Sequence, residues 1–170
     1  MKIIEAMKKI KEIQVKVEDL RKKVSQFCAI QSVETPLYGK DQSIKIKEWL
    51  QGVHDSIQEI MRLRVAIQKT NINTNVKIEL GGKFVEKSIA EWIHRRRDLA
   101  TLEKSVWESI GDRGLKEGIM QNSQGEKVEV KILRFYDPSE KDNNVALYRD
   151  EPSVIDRTLE VINAVTDLQE

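Results

Sequence analysis

Residues 62–98 read RLRVAIQKTNINTNVKIELGGKFVEKSIAEWIHRRRD, from Arg62 to Asp98, and this stretch decides the fold. A helical pattern enters it and meets a polar turn at Thr70, Asn71, Asn73, Thr74 and Asn75. Short polar side chains of this kind compete for backbone hydrogen bonds and end helices. Val76, Ile78 and Leu80 then alternate with Lys77 and Glu79, the period of a half-buried strand. Gly81-Gly82 is a hairpin signal with Lys83-Phe84-Val85 as the return. Ser88 and Glu91 have capping-box spacing and open a further helix. Two long helices joined through a small β element follow from this order.

Upstream, residues 2–28 carry an unbroken heptad. Ile3, Ile10, Val17 and Val24 form one series, and Ala6, Ile13, Leu20 and Phe27 the other. Glu5–Lys9, Glu12–Lys16 and Asp19–Lys23 add acid-to-base pairs one turn apart. The flanking positions Lys2, Lys9, Lys16 and Lys23 would face Met7, Gln14, Arg21 and Cys28 in a parallel dimer, with no acid to meet them. The heptad is therefore expected to pack antiparallel on another helix of its own chain, or on a different surface of a neighbouring subunit. Pro36 and Gly39 mark a connector, with Tyr38 as a local anchor.

A second helix is expected over 43–69, with Ile46, Trp49, Leu50, Val53, Ile57, Ile60, Met61, Arg64 and Ile67 as its stripe. Gly52 within it either weakens the helix or admits a close neighbour. A third is expected over 86–110, its apolar face Ile89, Trp92, Ile93, Leu99, Leu102, Val106 and Ile110. Val128, Val130 and Ile132 alternate with charges in 127–135, a strand expected to join the 76–85 hairpin, since two strands alone are marginal. Pro152 suits the first position of a last helix over 152–168. The fold class is mainly α, long antiparallel helices in a coiled-coil-like bundle with a small β element, in a single domain over 1–170.

These elements, in this order, resemble the septicolysin-like family of small bacterial proteins. The resemblance rests on the heptad helix, on Ile67, Thr70, Asn71 and Thr74 before a glycine turn, and on Arg96-Arg97-Asp98 on the following helix. Glu129-Val130-Lys131 with Asp137, and Ile155-Asp156 with Leu159 and Asn163, complete it. The family tends to end in Asn-Trp, whereas Ala164 follows Asn163 here and the chain continues to Glu170. The family name suggests a lytic toxin, but nothing in this sequence supports pore formation. The resemblance implies a helical, oligomeric protein with no assigned reaction.

Lys and Arg total 29 against 28 Asp and Glu, so the chain lacks the basic excess that favours nucleic acid or an anionic membrane. No stretch approaches a membrane span, and a soluble, cytoplasmic protein is expected. Cys28 is the sole cysteine, which excludes an intrachain disulfide; its place on the first helix reads as a small buried hydrophobe. His54 and His94 lie on different helices without a metal-ligand pattern. Gly111, Gly114 and Gly118 follow a helix, the wrong context for a phosphate cradle. No catalytic residue, metal or cofactor is expected.

Two polar clusters stand out. Arg95-Arg96-Arg97 could contact nucleic acid, but consecutive residues point around a helix and more readily pair with neighbouring acids. Thr70, Asn71 and Thr74 could bind a small polar ligand, but caps and buried backbone groups claim such side chains first. The favoured reading joins Thr70, Asn71, Thr74, Arg96, Arg97 and Asp98 in one structural network. Trp107 beside the third stripe, with Ile4, Met7 and Val15 outside the heptad seam, makes the helices apolar on more than one face, as where subunits meet. The expected function is a non-enzymatic structural or scaffold protein that forms a homo-oligomer by helix packing. A variant makes it a subunit of a larger particle such as a bacteriophage virion; a second alternative is a nucleic-acid-binding module.

Overall fold

In the computed structural model, which describes residues 1–169, the heptad becomes helix α1, Ile3–Phe27, and α2 follows as Gln42–Asn73. Strands β1, Asn75–Leu80, and β2, Lys83–Ser88, lead into α3, Ile89–His94. A π-helical turn, Arg95–Leu99, joins α3 to α4, Ala100–Ser109. Strands β3, Gly118–Gln121, and β4, Lys127–Val130, precede the long α5, Pro138–Val165. The protein is mainly helical with two small antiparallel hairpins. It divides into two compact units, Met1–Thr74 with the stretch from Leu159 on, and Asn75–Thr158.

In the first unit, α1 packs antiparallel on α2 of its own chain, the first of the two arrangements expected from its flank lysines. Ala6, Ile10 and Leu63 form the buried centre, with Ile13, Ile60, Ile67 and Leu168 against it. Every position of the α1 seam is buried or half-buried. Leu20 Cδ1 lies 3.4 Å from where a Cβ on Gly52 would sit, so that glycine admits a close neighbour. Phe27, Tyr38 and Trp49 close the far end as an aromatic trio with centroids 5.7–6.2 Å apart. Lys9 Nζ donates to Glu59 Oε1 at 2.8 Å. The chain end returns beside its start: Ile3 N donates to Thr166 O at 3.1 Å, and Leu168 N to Met1 O at 2.8 Å.

In the second unit, β1 and β2 pair along their full length from Asn75↔Ser88 to Leu80↔Lys83. Gly81 and Gly82 both have positive φ, +57° and +76°, as a two-residue hairpin loop of this hand demands. Val76 and Ile78 point inward, and the fully buried Trp92 donates from Nε1 to the Val76 carbonyl at 3.0 Å. The expected capping box is present, with Ser88 Oγ accepting from Glu91 N and Ser88 N donating to the Glu91 carboxylate.

Four expectations need correction. The polar turn does not stop α2 at Lys69; the helix runs through Asn73, because Thr70 Oγ1 bonds back to the Ala66 carbonyl inside the helix. The second β segment does not join the first hairpin. It pairs with Gly118–Gln121 to make a separate two-stranded sheet. The last helix begins at Pro138, capped by Asp137, whose Oδ1 accepts from Ser139 N at 2.8 Å. The first-turn rule for proline holds, but at Pro138; Pro152 lies inside α5 and leaves the Tyr148 carbonyl without its helical donor. Cys28 is exposed, not buried, since it caps the end of α1 at a flank position outside the seam.

The third helix also turns its faces. Leu99, Leu102 and Val106 were expected inward, yet all three are exposed. Ala100 is buried, and Glu103 and Trp107 are half-buried in their place. A π turn inserts one residue into the helical count. One residue is ~100° of helix, so every later position comes inward one place late.

Candidate functional site

The arginine cluster sits on this π turn. Arg95 grips Glu151 with both prongs, Nε to Oε1 and Nη2 to Oε2, each at 2.7 Å. Its Nη1 donates to Glu103, and its guanidinium lies 5.7 Å from the Tyr148 ring centre. Glu151 is only 2% exposed, so this carboxylate is held in a site where an unpaired charge would be costly. Glu151 bonding, with Glu103 behind it, holds the Arg95 guanidinium above its usual value. Burial raises the Tyr148 phenol, and the Glu103 charge adds to that.

The π turn is what brings Arg95 and Glu103 together. Eight residues of plain α-helix end ~80° off the starting face. With one residue absorbed by the bulge, the pair has the phase of residues seven apart and shares a face. Arg96 pairs with Asp156 at 2.6 Å, and Arg97 lies against Asp98 at 3.5 Å. All three arginines therefore have an acid within the second unit. Glu151 was missed by sequence reasoning, although a signal existed: it is an acid in the apolar stripe Tyr148, Ile155, Leu159.

Thr70 is engaged elsewhere. Its buried hydroxyl donates to Ala66 O and accepts from Gln169 N, both at 2.8 Å, while Asn73 Nδ2 reaches Gln169 Oε1 at 3.0 Å. Thr74 N closes the helix on the Thr70 carbonyl. Asn71 Oδ1 is buried and has no partner among the described residues. The single network expected of Thr70, Asn71, Thr74, Arg96, Arg97 and Asp98 is thus replaced by two sets of bonds. The threonines serve α2 and the chain end, and the arginines serve the acids of the second unit.

His54 and His94 are exposed, and no cluster of three metal-ligating side chains occurs among the described residues. Asp112 receives both prongs of Arg134 at 2.6 and 2.8 Å and the Tyr136 hydroxyl at 2.9 Å, which draws its carboxyl below the usual range. This clamp closes the base of the β3–β4 hairpin, whose eight strand residues are all exposed. Phe135 beyond it is 98% exposed.

An exposed apolar face runs along α2. Ser56, Leu63, Ala66 and Thr70 face inward. Leu50, Ile57 and Met61, expected in the inward stripe, lie instead on the opposite side with Val65 and Ile72, at 44–64% exposure. The sequence stripe had merged two faces. Beside Met61 and Val65 runs a groove of about 450 Å³, mostly apolar, floored by Leu63, Ala66 and Leu168 and edged by Arg62 and Lys69. No helix of the described residues is long and apolar enough to cross a membrane.

Residues 11–168 match the family of unknown function DUF6847. The chain belongs to that family. Comparison with curated proteins finds no match. Among solved structures it is similar to a functionally unknown conserved protein from Corynebacterium diphtheriae, with a TM-score of 0.56 and 19% identity over 99% of each chain. At that identity the likeness shows a shared fold.

Proposed function

We propose that this member of DUF6847 is a non-enzymatic structural subunit that assembles with copies of itself through helix packing. The observation that carries this reading is the second apolar face of α2. A helix with apolar stripes on opposite sides wants two partners. The inward stripe has α1; the outward one is open to solvent along five large side chains. Contiguous exposed apolar surface of this kind marks interaction sites. The buried Glu151 agrees with a structural role, since Arg95 holds both of its oxygens. The resemblance to septicolysin-like proteins carries the same implication of a helical oligomer.

A nucleic-acid role for Arg95, Arg96 and Arg97 draws less support, because their charges already face Glu151, Glu103, Asp156 and Asp98. Sedimentation between 1 and 100 µM tests the proposal. A mass above the 19.7 kDa of one chain is expected, and a single-chain mass throughout would overturn it.

A further inference from the structure

The outward stripe of α2 is symmetric about one residue. Counted from Met61, Ile57 and Val65 lie four positions either side, and Leu50 and Ile72 eleven. The polar residues on the same face obey the same symmetry, His54 and Gln68 lying seven positions either side. We infer that α2 pairs antiparallel with α2 of a second copy, about a two-fold axis through Met61. This rests on the self-assembly reading above and names the surface and the register.

In that arrangement Leu50 meets Ile72 of the second copy, Ile57 meets Val65, and Met61 meets its own counterpart. His54 falls opposite Gln68, so along the stripe polar meets polar and apolar meets apolar. A two-fold interface must be self-complementary in this way, each contact occurring twice. A parallel pairing in register would also match like with like. It would, however, do so whatever the sequence, and would leave the symmetry about Met61 without use. The symmetry therefore points to the antiparallel form, which also sets the two helix dipoles in opposite senses.

The stripe spans twenty-three residues, ~33 Å of helix, the width of a small domain and enough for an interface of ordinary size. Each groove beside Met61 offers room for the other copy's side chain, and methionine adapts to such irregular gaps.

Cysteine trapping in a Cys28→Ser background tests the register. Facing helices at packing distance bring residues on the axis within disulfide reach and hold off-axis ones away from their own counterparts. Met61→Cys should cross-link to itself under mild oxidation. Leu50→Cys and Ile72→Cys should each stay single alone and link to one another when mixed. Met61→Glu should shift the dimer constant at least 100-fold toward monomer; circular dichroism checks the fold, since Met61 is exposed in the single chain. If the protein self-associates but Met61→Cys does not link and Met61→Glu has no effect, the register is wrong and the assembly reading stands. If Leu50→Cys links to itself, the pairing is parallel and the inference is overturned. A wild-type monomer at 100 µM overturns both.

Discussion

At the scale of single residues, Glu151 and Arg95 are the pair to test. Removing the arginine leaves a carboxylate at 2% exposure with no counter-charge, a loss worth about 3 kcal/mol. Arg95→Met should therefore lower the urea midpoint sharply. The double variant Arg95→Met/Glu151→Leu should recover most of it, because a buried pair can be replaced by apolar side chains at little net cost. Equal losses in the single and double variants would show that shape, not charge, is at stake. Glu59 makes a different kind of test. Hydrogen bonds from Arg62, then Lys9, pull its carboxyl from 4.5 down to about 2. A depressed carboxyl contributes stability that is complete above its unfolded value and fades as pH falls toward the folded one. Melting followed from pH 6 to pH 2 should show this decline below about 4.5. Glu59→Gln should flatten that part of the profile while costing less than ~1 kcal/mol at neutral pH.

At the scale of elements, the β3–β4 hairpin depends on its clamp. Two exposed strands are marginal by themselves, and Asp112 ties their base through Arg134 and Tyr136. Asp112→Asn should speed amide exchange across residues 118–130 and leave exchange in α1 and α2 unchanged; unaltered hairpin protection would mean the strands stand without the clamp. How far the elements could be read from sequence follows from the range of the forces that make them. The α1 heptad, the Gly81-Gly82 turn and the Ser88–Glu91 box are local, and each was legible. Long-range choices were not. Whether Lys127–Val130 joined the first hairpin depended on a pairing with Gly118–Gln121, a stretch with weak strand character of its own. Periodicity also could not separate the two apolar faces of α2, nor detect the inserted residue that turns Leu99, Leu102 and Val106 outward. Of the candidate site, the arginines were identified and their pairing with acids was expected in kind. Glu151 as the particular acid lay beyond local pattern, fifty-six positions away.

At the scale of the whole molecule, the proposed assembly makes stability a function of concentration. A protein that folds and pairs has its folded state favoured by its own mass action. The melting temperature should rise between 1 and 100 µM for the wild type and stay constant for Met61→Glu. A constant value in both would argue against a dimer coupled to folding. Salt should matter little to this association, because no Asp, Glu, Lys or Arg lies in the stripe itself. A steep fall in affinity with salt would point instead to a contact made by charges.

The π turn also has a consequence for length. Because Arg95–Leu99 holds one residue more than the helical phase requires, the chain has a position it could give up without changing which side of α4 faces inward. Arg97 is the natural one to lose, exposed and, among the described residues, paired by charge with its neighbour Asp98. Deleting it should turn the π segment into plain α-helix, keep Ala100 and Trp107 in place, and bring Arg95 and Glu103 to an ordinary two-turn spacing. Family members one residue shorter here would then be expected to keep the same fold, whereas the same loss from the middle of α2 would rotate one of its two apolar faces away from its partner.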